Sequence, residues 1–311
     1  VNVVFLGTPE FAVATLERSA EAGHNVLAVI TQPDRPKGRS QALAESPVKQ
    51  AARRLNLPVH QPEKIRTPEF LAFLKGLGAD VMVMVGYGRI IPQSIIDVAP
   101  HGIINVHASL LPKYRGAAPI QWAIANGETR TGVTTMRIDA GLDTGDILLQ
   151  SETEIGPEET AVELGARLAR MGADLLVETL LRIEDGTIVP QPQDSARASL
   201  APVLKKGDGR INWTSPAPEI HNRIRGFLPW PGCYSRFRGR QFQIWRARAG
   251  GEAKGAPGSL DAGRGRLFVA CGANTSLELL EVQMEGRKRM TAADFLNGYQ
   301  VSDNDLLEMS Q

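Results

Sequence analysis

The sequence is poor in cysteine. Only Cys233 and Cys271 occur among 311 residues, too few for a disulfide framework, and a reducing compartment is the expectation. Long apolar runs are missing as well: nothing approaches the ~20 residues that a bilayer-spanning helix needs. No basic stretch precedes the first apolar residues, Val1 to Leu6, so these read as an opening core strand and not as part of a signal peptide. No Cys/His cluster has zinc spacing. Net charge is nearly absent, with 35 Lys and Arg against 34 Asp and Glu giving +1. Taken as an average, that charge speaks against a nucleic-acid partner. What is present is ordinary for a globular chain, 42% hydrophobic and 22% charged, which excludes disorder. The length fits about two domains.

The first half alternates β-rich and helical patterns. Strands are predicted at 1–6, 25–31, 81–85, 102–107, 131–138 and 146–152, and helices at 9–22, 47–55, 67–75, 92–98, 118–126 and 160–183. Ser46 followed by Pro47 is a helix start. The unbroken apolar run Val81 to Val85 suits a strand buried on both faces. This order predicts an α/β fold with an open, mostly parallel, Rossmann-like sheet. Residues 32–46 have two prolines and no periodicity, so a long loop is predicted, of a length uncommon without a function. Between 184 and 208 the chain is rich in Pro, Gln, Asp and Ser, and a linker is expected at 190–207. Beyond it, a short helix at 217–226 and β-like runs at 241–246, 266–271 and 277–283 predict a smaller β-barrel or sandwich over 208–311, with 247–266 as loop.

The charge is not evenly spread. Residues 209–250 hold eight arginines and one acid, Glu219, a net of +7 that leaves −6 for the rest. The arginines are interleaved with Trp213, Phe227, Trp230, Tyr234, Phe237, Phe242 and Trp245. Arginine with aromatics is the composition of a nucleic-acid surface. It is also that of a solvated barrel face over an aromatic core, which the alternation in Arg236-Phe237-Arg238 fits directly.

The segment 102–127 carries the most chemistry. Asn105 and His107 lie two apart at the end of a predicted buried strand, on one face. Ligands of parallel sheets bind at the carboxyl ends of strands. An amide can donate to an oxyanion, and an imidazole, with an ordinary pKa of about 6.5, can carry a proton at neutral pH. A later turn, Asp139 to Asp146, is suited to aim one carboxylate, Asp143. Plain structural roles remain open for His107 and Asp143. The Asp143-Thr144-Gly145 triplet resembles the aspartic-protease motif, but that chemistry needs two such sites. Gly86-Tyr87-Gly88 follows a strand, yet Ile91 stands where a dinucleotide fingerprint needs a small residue.

Asn105-Val106-His107, Ser109-Leu110-Leu111-Pro112, Arg115-Gly116-Ala117-Ala118-Pro119-Ile120 and Gly141-Leu142-Asp143-Thr144-Gly145-Asp146 closely resemble the formyltransferases that use 10-formyltetrahydrofolate. So does the opening Phe5-Leu6-Gly7-Thr8-Pro9-Glu10-Phe11. The stretch Thr31 to Arg39 with Ser46-Pro47-Val48-Lys49, and Ile211-Asn212-Trp213 with Ile224 to Phe227 and Pro229-Trp230-Pro231-Gly232, resemble the methionyl-tRNA branch. The resemblance spans essentially the whole chain. It implies a formyltransferase catalytic domain over 1–189, an OB-like tRNA-binding barrel over 208–311, and a bacterial, cytoplasmic enzyme of translation initiation. The implied catalytic side chains are Asn105, His107 and Asp143. The folate cosubstrate would lie against Gly86, Tyr87, Gly88, Ser109, Leu110, Leu111, Pro112 and Gly141, with no metal. Initiator methionyl-tRNA would meet Arg35, Lys37 and Arg39 in the 32–46 loop and Arg223, Arg225, Arg236 and Arg238 beyond the linker. Neither a membrane nor a stable protein partner is implied. The chain departs from its relatives at residues 40–44, where lysines often stand and Ser40-Gln41-Ala42-Leu43-Ala44 is found. A small-amine formyltransferase acting on glycinamide ribonucleotide or an amino-sugar nucleotide, and a folate- or RNA-binding protein without catalysis, are the alternatives.

Overall fold

The computed structural model describes residues 1–37, 42–302 and 305–308; the side chain of Lys37 and all of Arg39 lie outside what it describes. The chain forms two compact units. The first comprises Val1–Pro119, Arg130–Glu154 and Gly165–Ala201; the second comprises Ile120–Thr129, Ile155–Leu164 and Pro202–Gln311.

The first half contributes β1 (Asn2–Gly7), α1 (Val13–Glu21), β2 (Asn25–Ile30), β3 (Arg35–Lys37), β4 (Ala42–Ala44), α2 (Pro47–Arg54), β5 (Val59–His60), α3 (Pro68–Leu77), β6 (Val81–Val85), α4 (Gln93–Ile96), β7 (Ile103–His107), α5 (Pro119–Ala125), β8 (Arg130–Arg137), β9 (Ile147–Glu154) and α6 (Ala161–Glu184). One sheet runs β5-β2-β1-β6-β7-β8-β9. It is parallel as far as β7 and antiparallel at β8 and β9. Strand side chains alternate between two cores. Val3, Phe5, Ile104 and Val106 pack with Leu16 of α1, Ala51 of α2 and Leu176 of α6. Val4, Leu6, Met82 and Ile103 pack with Phe70 of α3 and Ile95 of α4. Burial on both faces is why β1 and β6 read as unbroken apolar runs. Ser46 caps α2 as the sequence predicts, its Oγ accepting from the Lys49 amide at 3.1 Å.

The chain turns from β2 on one side of β1 to β6 on the other, which puts a topological switch point at the carboxyl ends of β1 and β6. The segment expected as one loop over 32–46 contains a hairpin, β3 paired antiparallel with β4. Strands of three residues are too short to leave a period in the sequence. Residues 190–201 belong to the first unit. Gln191 pairs with Ile147, and Leu200 pairs with Arg115.

The second unit holds α7 (Ala217–Gly226), β10 (Cys233–Phe237), β11 (Arg240–Glu252), β12 (Leu260–Gly263), β13 (Arg266–Cys271), β14 (Thr275–Met284), β15 (Met290–Thr291), α8 (Ala292–Gly298) and β16 (Leu307–Glu308). Its antiparallel sheet runs β12-β13-β14-β11-β10-β16. The two ends curl together: Leu307 donates its amide to the Gly258 carbonyl at 2.9 Å, and Ser259 bridges Leu306. Gly258 has φ +93°, and a Cβ there would lie 2.6 Å from the Leu307 oxygen, so the closure requires glycine. Trp213, Phe227, Phe237, Phe242 and Phe295 are fully buried. The aromatics of the basic segment are therefore largely core, while Trp230 stays 53% exposed. The stretch expected as loop over 247–266 instead carries the end of β11 and all of β12. The small residues Ala247, Ala249, Gly250 and Gly251, with bulges at Arg246 and near Gly250, break the alternation that would have marked it. Cys233 and Cys271 are both free and buried, and burial pushes each thiol up to about 12.

Glu278 of β14 is 4% exposed and held by Arg266 at 2.6 Å and Arg248 at 2.7 Å. These guanidiniums pull its carboxyl from 4.5 down to about 2. A carboxyl depressed in the folded state stabilises it above the unfolded pKa and ceases to do so as pH falls through the folded one. Both arginines are half exposed, so screening limits the contribution to about 1 kcal/mol. Urea unfolding of the native protein is expected to lose this increment between pH 4.5 and 2. Glu278→Gln, already without it at pH 7, should show a shallower loss over the same interval.

Candidate active site

Asn105 and His107 close β7 and share the face of Ile103, opposite Ile104 and Val106. Each is only 6% exposed. Main-chain pairing fixes Asn105 from two sides, in register with Met84 of β6 and Met136 of β8, and His107 from one, in register with Thr134 of β8. Among the described residues no hydrogen bond engages the Asn105 side chain. A nearly buried amide with free donors is ready for an acceptor that arrives with a ligand.

His107 is oriented through Nε2, which lies 2.9 Å from the Tyr114 carbonyl. A carbonyl only accepts, so Nε2 carries the hydrogen and the neutral ring presents its lone pair at Nδ1. Nδ1 faces Asp143 Oδ2 at 3.7 Å. The same Oδ2 accepts from the Gly116 amide at 2.8 Å. Asp143 has φ +50°, a left-handed conformation in the β8–β9 connection. The turn before it is tied by Asp139, whose Oδ1 accepts from the Gly141 amide at 3.0 Å and the Thr144 hydroxyl at 2.7 Å. The three side chains expected at the reaction centre are thus linked in one region of the first unit. Asn105 and His107 share a strand face, and Asp143 reaches His107 from a separate turn.

The 109–112 loop is fixed by two strand residues that sequence reasoning did not single out. Thr134 donates its hydroxyl to the Ser109 carbonyl at 2.6 Å and accepts from the Leu111 amide at 3.2 Å. Gln150 donates to the Leu111 carbonyl at 2.9 Å. Their only signal is polarity within strands β8 and β9. Ser109 and Leu111 are buried, while Leu110 and Pro112 are half-buried. Tyr87 is also buried, among Leu6, Ile30 and Ile91, so its ring belongs to the core. Its flanking glycines, Gly86 and Gly88, are exposed, as is Gly141. The 86–88 loop is tied down by Gln32, which donates to the Tyr87 carbonyl at 3.0 Å. Leu142, beside Asp143, is 63% exposed.

The expected basic contacts separate. Arg35 is exposed on β3 and Arg236 on β10. Arg238 is half exposed and makes a two-pronged pair with Asp305 at 2.8 and 2.7 Å, which holds that carboxyl well below its ordinary range. Arg223 lies over the Phe227 ring and donates to the Asp208 carbonyl. Arg225 is 7% exposed, with its guanidinium spent on the Gly156 and Glu159 carbonyls and on Asn222. That side chain is a structural clamp within the second unit and is not available to a ligand. Among the described residues no group of His, Cys, Asp and Glu is placed to hold a metal ion. No helix among them is long and apolar enough to cross a membrane.

Residues 1–180 match the formyl transferase family, and residues 203–300 match the formyl transferase C-terminal domain. A methionyl-tRNA formyltransferase of Solibacter usitatus (strain Ellin6076) is 64% identical over 308 residues, 99% of this chain and 98% of the relative. The chain belongs to the methionyl-tRNA formyltransferase family. A second member, from Koribacter versatilis (strain Ellin345), is 60% identical over 98% of each chain. Among solved structures, an N-formyltransferase from Helicobacter canadensis in complex with folinic acid and dTDP-3-aminofucose is similar with a TM-score of 0.67. At 21% identity over 91% of this chain and 98% of that one, it shows a shared fold. HypX from Aquifex aeolicus, solved with tetrahydrofolic acid, is similar with a TM-score of 0.64 at 16% identity, over 94% of this chain and 46% of that one. The fold is therefore common to that N-formyltransferase and to this family, and membership of the family rests on the 64% and 60% identity of the near-full-length relatives.

Proposed function

We infer that the chain transfers the formyl group of 10-formyltetrahydrofolate to the α-amine of methionine esterified to initiator tRNA, in the cytoplasm, for translation initiation. The observation that carries the chemistry is the unengaged Asn105 amide two residues from an imidazole whose Nδ1 faces a carboxylate. The amine nitrogen attacks the formyl carbon on N10, and a C–N bond forms while the carbonyl oxygen becomes an oxyanion. Asn105 donates a hydrogen bond to that oxygen. Nδ1 of His107 takes the proton that the attacking nitrogen sheds, and Asp143 balances the resulting imidazolium. Collapse breaks the bond from carbon to N10, N10 receives a proton by way of the His107–Asp143 pair, and tetrahydrofolate leaves. The exposed backbone at Gly86, Gly88 and Gly141, with Leu110 and Pro112, supports a folate site beside this centre.

On the tRNA side, exposed Arg35 and Arg236 favour phosphate contacts, with Arg223 and Arg238 as partly engaged neighbours. Phosphate contacts of this kind weaken as salt rises. The test follows the formyl group. Pure protein, 10-formyltetrahydrofolate and methionyl-initiator tRNA should give formylmethionyl-tRNA, while glycinamide ribonucleotide and amino-sugar nucleotides should stay unmodified. Transfer to either small amine in preference to the tRNA would overturn the substrate assignment.

A further inference from the structure

We propose that Gln193 is a positioning residue for formyl transfer, acting through the main chain that aims Asp143. The inference rests on the role given to Asp143 above. Asp143 is held from two directions. Its carboxylate accepts from the Gly116 amide. Its backbone is held by Gln193, whose Nε2 donates to the Asp143 carbonyl at 2.9 Å and to the Gly145 carbonyl at 2.7 Å. Both hydrogens of one amide are therefore used on carbonyls that flank the turn.

The other end of Gln193 is fixed as firmly. Its Oε1 accepts from Arg115 Nε at 3.0 Å and Nη2 at 2.8 Å. Arg115 is only 8% exposed, so a buried guanidinium is directed at a neutral amide oxygen. A charged donor strengthens that bond and polarises the amide toward better donation at its other end. Arg115 is itself held by main-chain bonds, donating to the Ser199 carbonyl at 2.8 Å and accepting from the Ala201 amide at 2.7 Å. The adjacent Gly116 has φ +121°, and a Cβ there would lie 2.6 Å from the Ala201 oxygen. One short stretch, Arg115-Gly116, thus sets the carboxylate through its amide and the carbonyls through Gln193.

The consequence is kinetic. Asp143 stands at 3.7 Å from Nδ1 in a left-handed turn, and among the described residues its backbone carbonyl accepts from Gln193 alone. Release of the turn lets the carboxylate drift from the imidazole. Displacements of about 1 Å at a reacting group cost up to ~10²-fold.

The experiment is a double-variant cycle on the full-length protein, reading kcat, KM for both substrates and thermal midpoint. Gln193→Met keeps the side-chain length and removes both donors and the acceptor. It should lower kcat about 10- to 100-fold with either KM within about twofold. Gln193→Glu keeps an acceptor for Arg115 but cannot donate to the two carbonyls, and it should be as slow as Gln193→Met. In an Asp143→Asn background, Gln193→Met should lower kcat less than about twofold further, because its target is already disabled. Loss that multiplies in the double variant, a normal Gln193→Glu, or an effect seen only in KM or thermal midpoint would overturn the inference. A normal Asp143→Asn protein would overturn the reading beneath it, and a normal Gln193→Met beside an impaired Asp143→Asn would overturn the Gln193 role alone.

Discussion

An Asn105→Ala protein is expected to fold normally and to turn over roughly 10²–10³ times more slowly than the native protein, with little change in either KM. The physical reason is the state of this amide before substrate arrives. It is 6% exposed and makes no hydrogen bond to described residues. Removing it therefore breaks nothing in the resting fold, and the strand is still held by main-chain pairing to β6 and β8. What is lost is a donor that strengthens as the formyl oxygen gains charge, a gain confined to the transition state. That pattern is a fall in kcat without a matching rise in KM, measured at saturating folate. Turnover near the native rate in a well-folded Asn105→Ala protein would remove the oxyanion role.

The second large effect is expected at Asp143. Asp143→Asn retains an oxygen that can accept from the Gly116 amide, so the turn should persist. It loses the negative charge opposite Nδ1. An imidazole that accepts a proton there becomes a cation with no anion to balance it, and the Asn amide can turn a donor toward the basic nitrogen. Loss of such assisted proton transfer costs typically ~10²–10⁴-fold in kcat. Tetrahydrofolate release followed by absorbance, with circular dichroism to check the fold, measures the effect. A variant within a few-fold of native would leave Asp143 as a turn residue and nothing more.

The parts of this site that the sequence discloses are those governed by local periodicity. Asn105 and His107 interrupt an apolar strand with period two at its carboxyl end, where parallel sheets bind ligands. Asp143 is less exposed to inspection, because only its turn is local and its meeting with His107 is not. Arg225 shows the opposite case. It lies in a helix of ordinary amphipathic pattern among other arginines, yet carbonyls at Gly156 and Glu159 draw it inward. No local signal reports an acceptor more than 60 residues away. Gln193 is hidden for a related reason. The stretch around it has the Pro, Gln, Asp and Ser content of a linker, and its order comes from isolated bridges to Ile147 and Arg115 rather than from a strand. In the second unit the aromatic half of the Arg-aromatic pattern is explained by burial, whereas the charged half divides between internal pairing and open surface.

The strap from Gln191 to Ala201 has a consequence for how the protein can be divided. The family match over the first part ends at residue 180, and composition would place a cut near 190. A fragment ended at either point would keep every strand of the large sheet and every side chain named in the chemistry. It would still lack Gln193, the Ser199 carbonyl and the Ala201 amide. Either cut would therefore leave the side chains of the reaction centre on the chain while taking away the residues that hold Arg115 and the Asp143 turn.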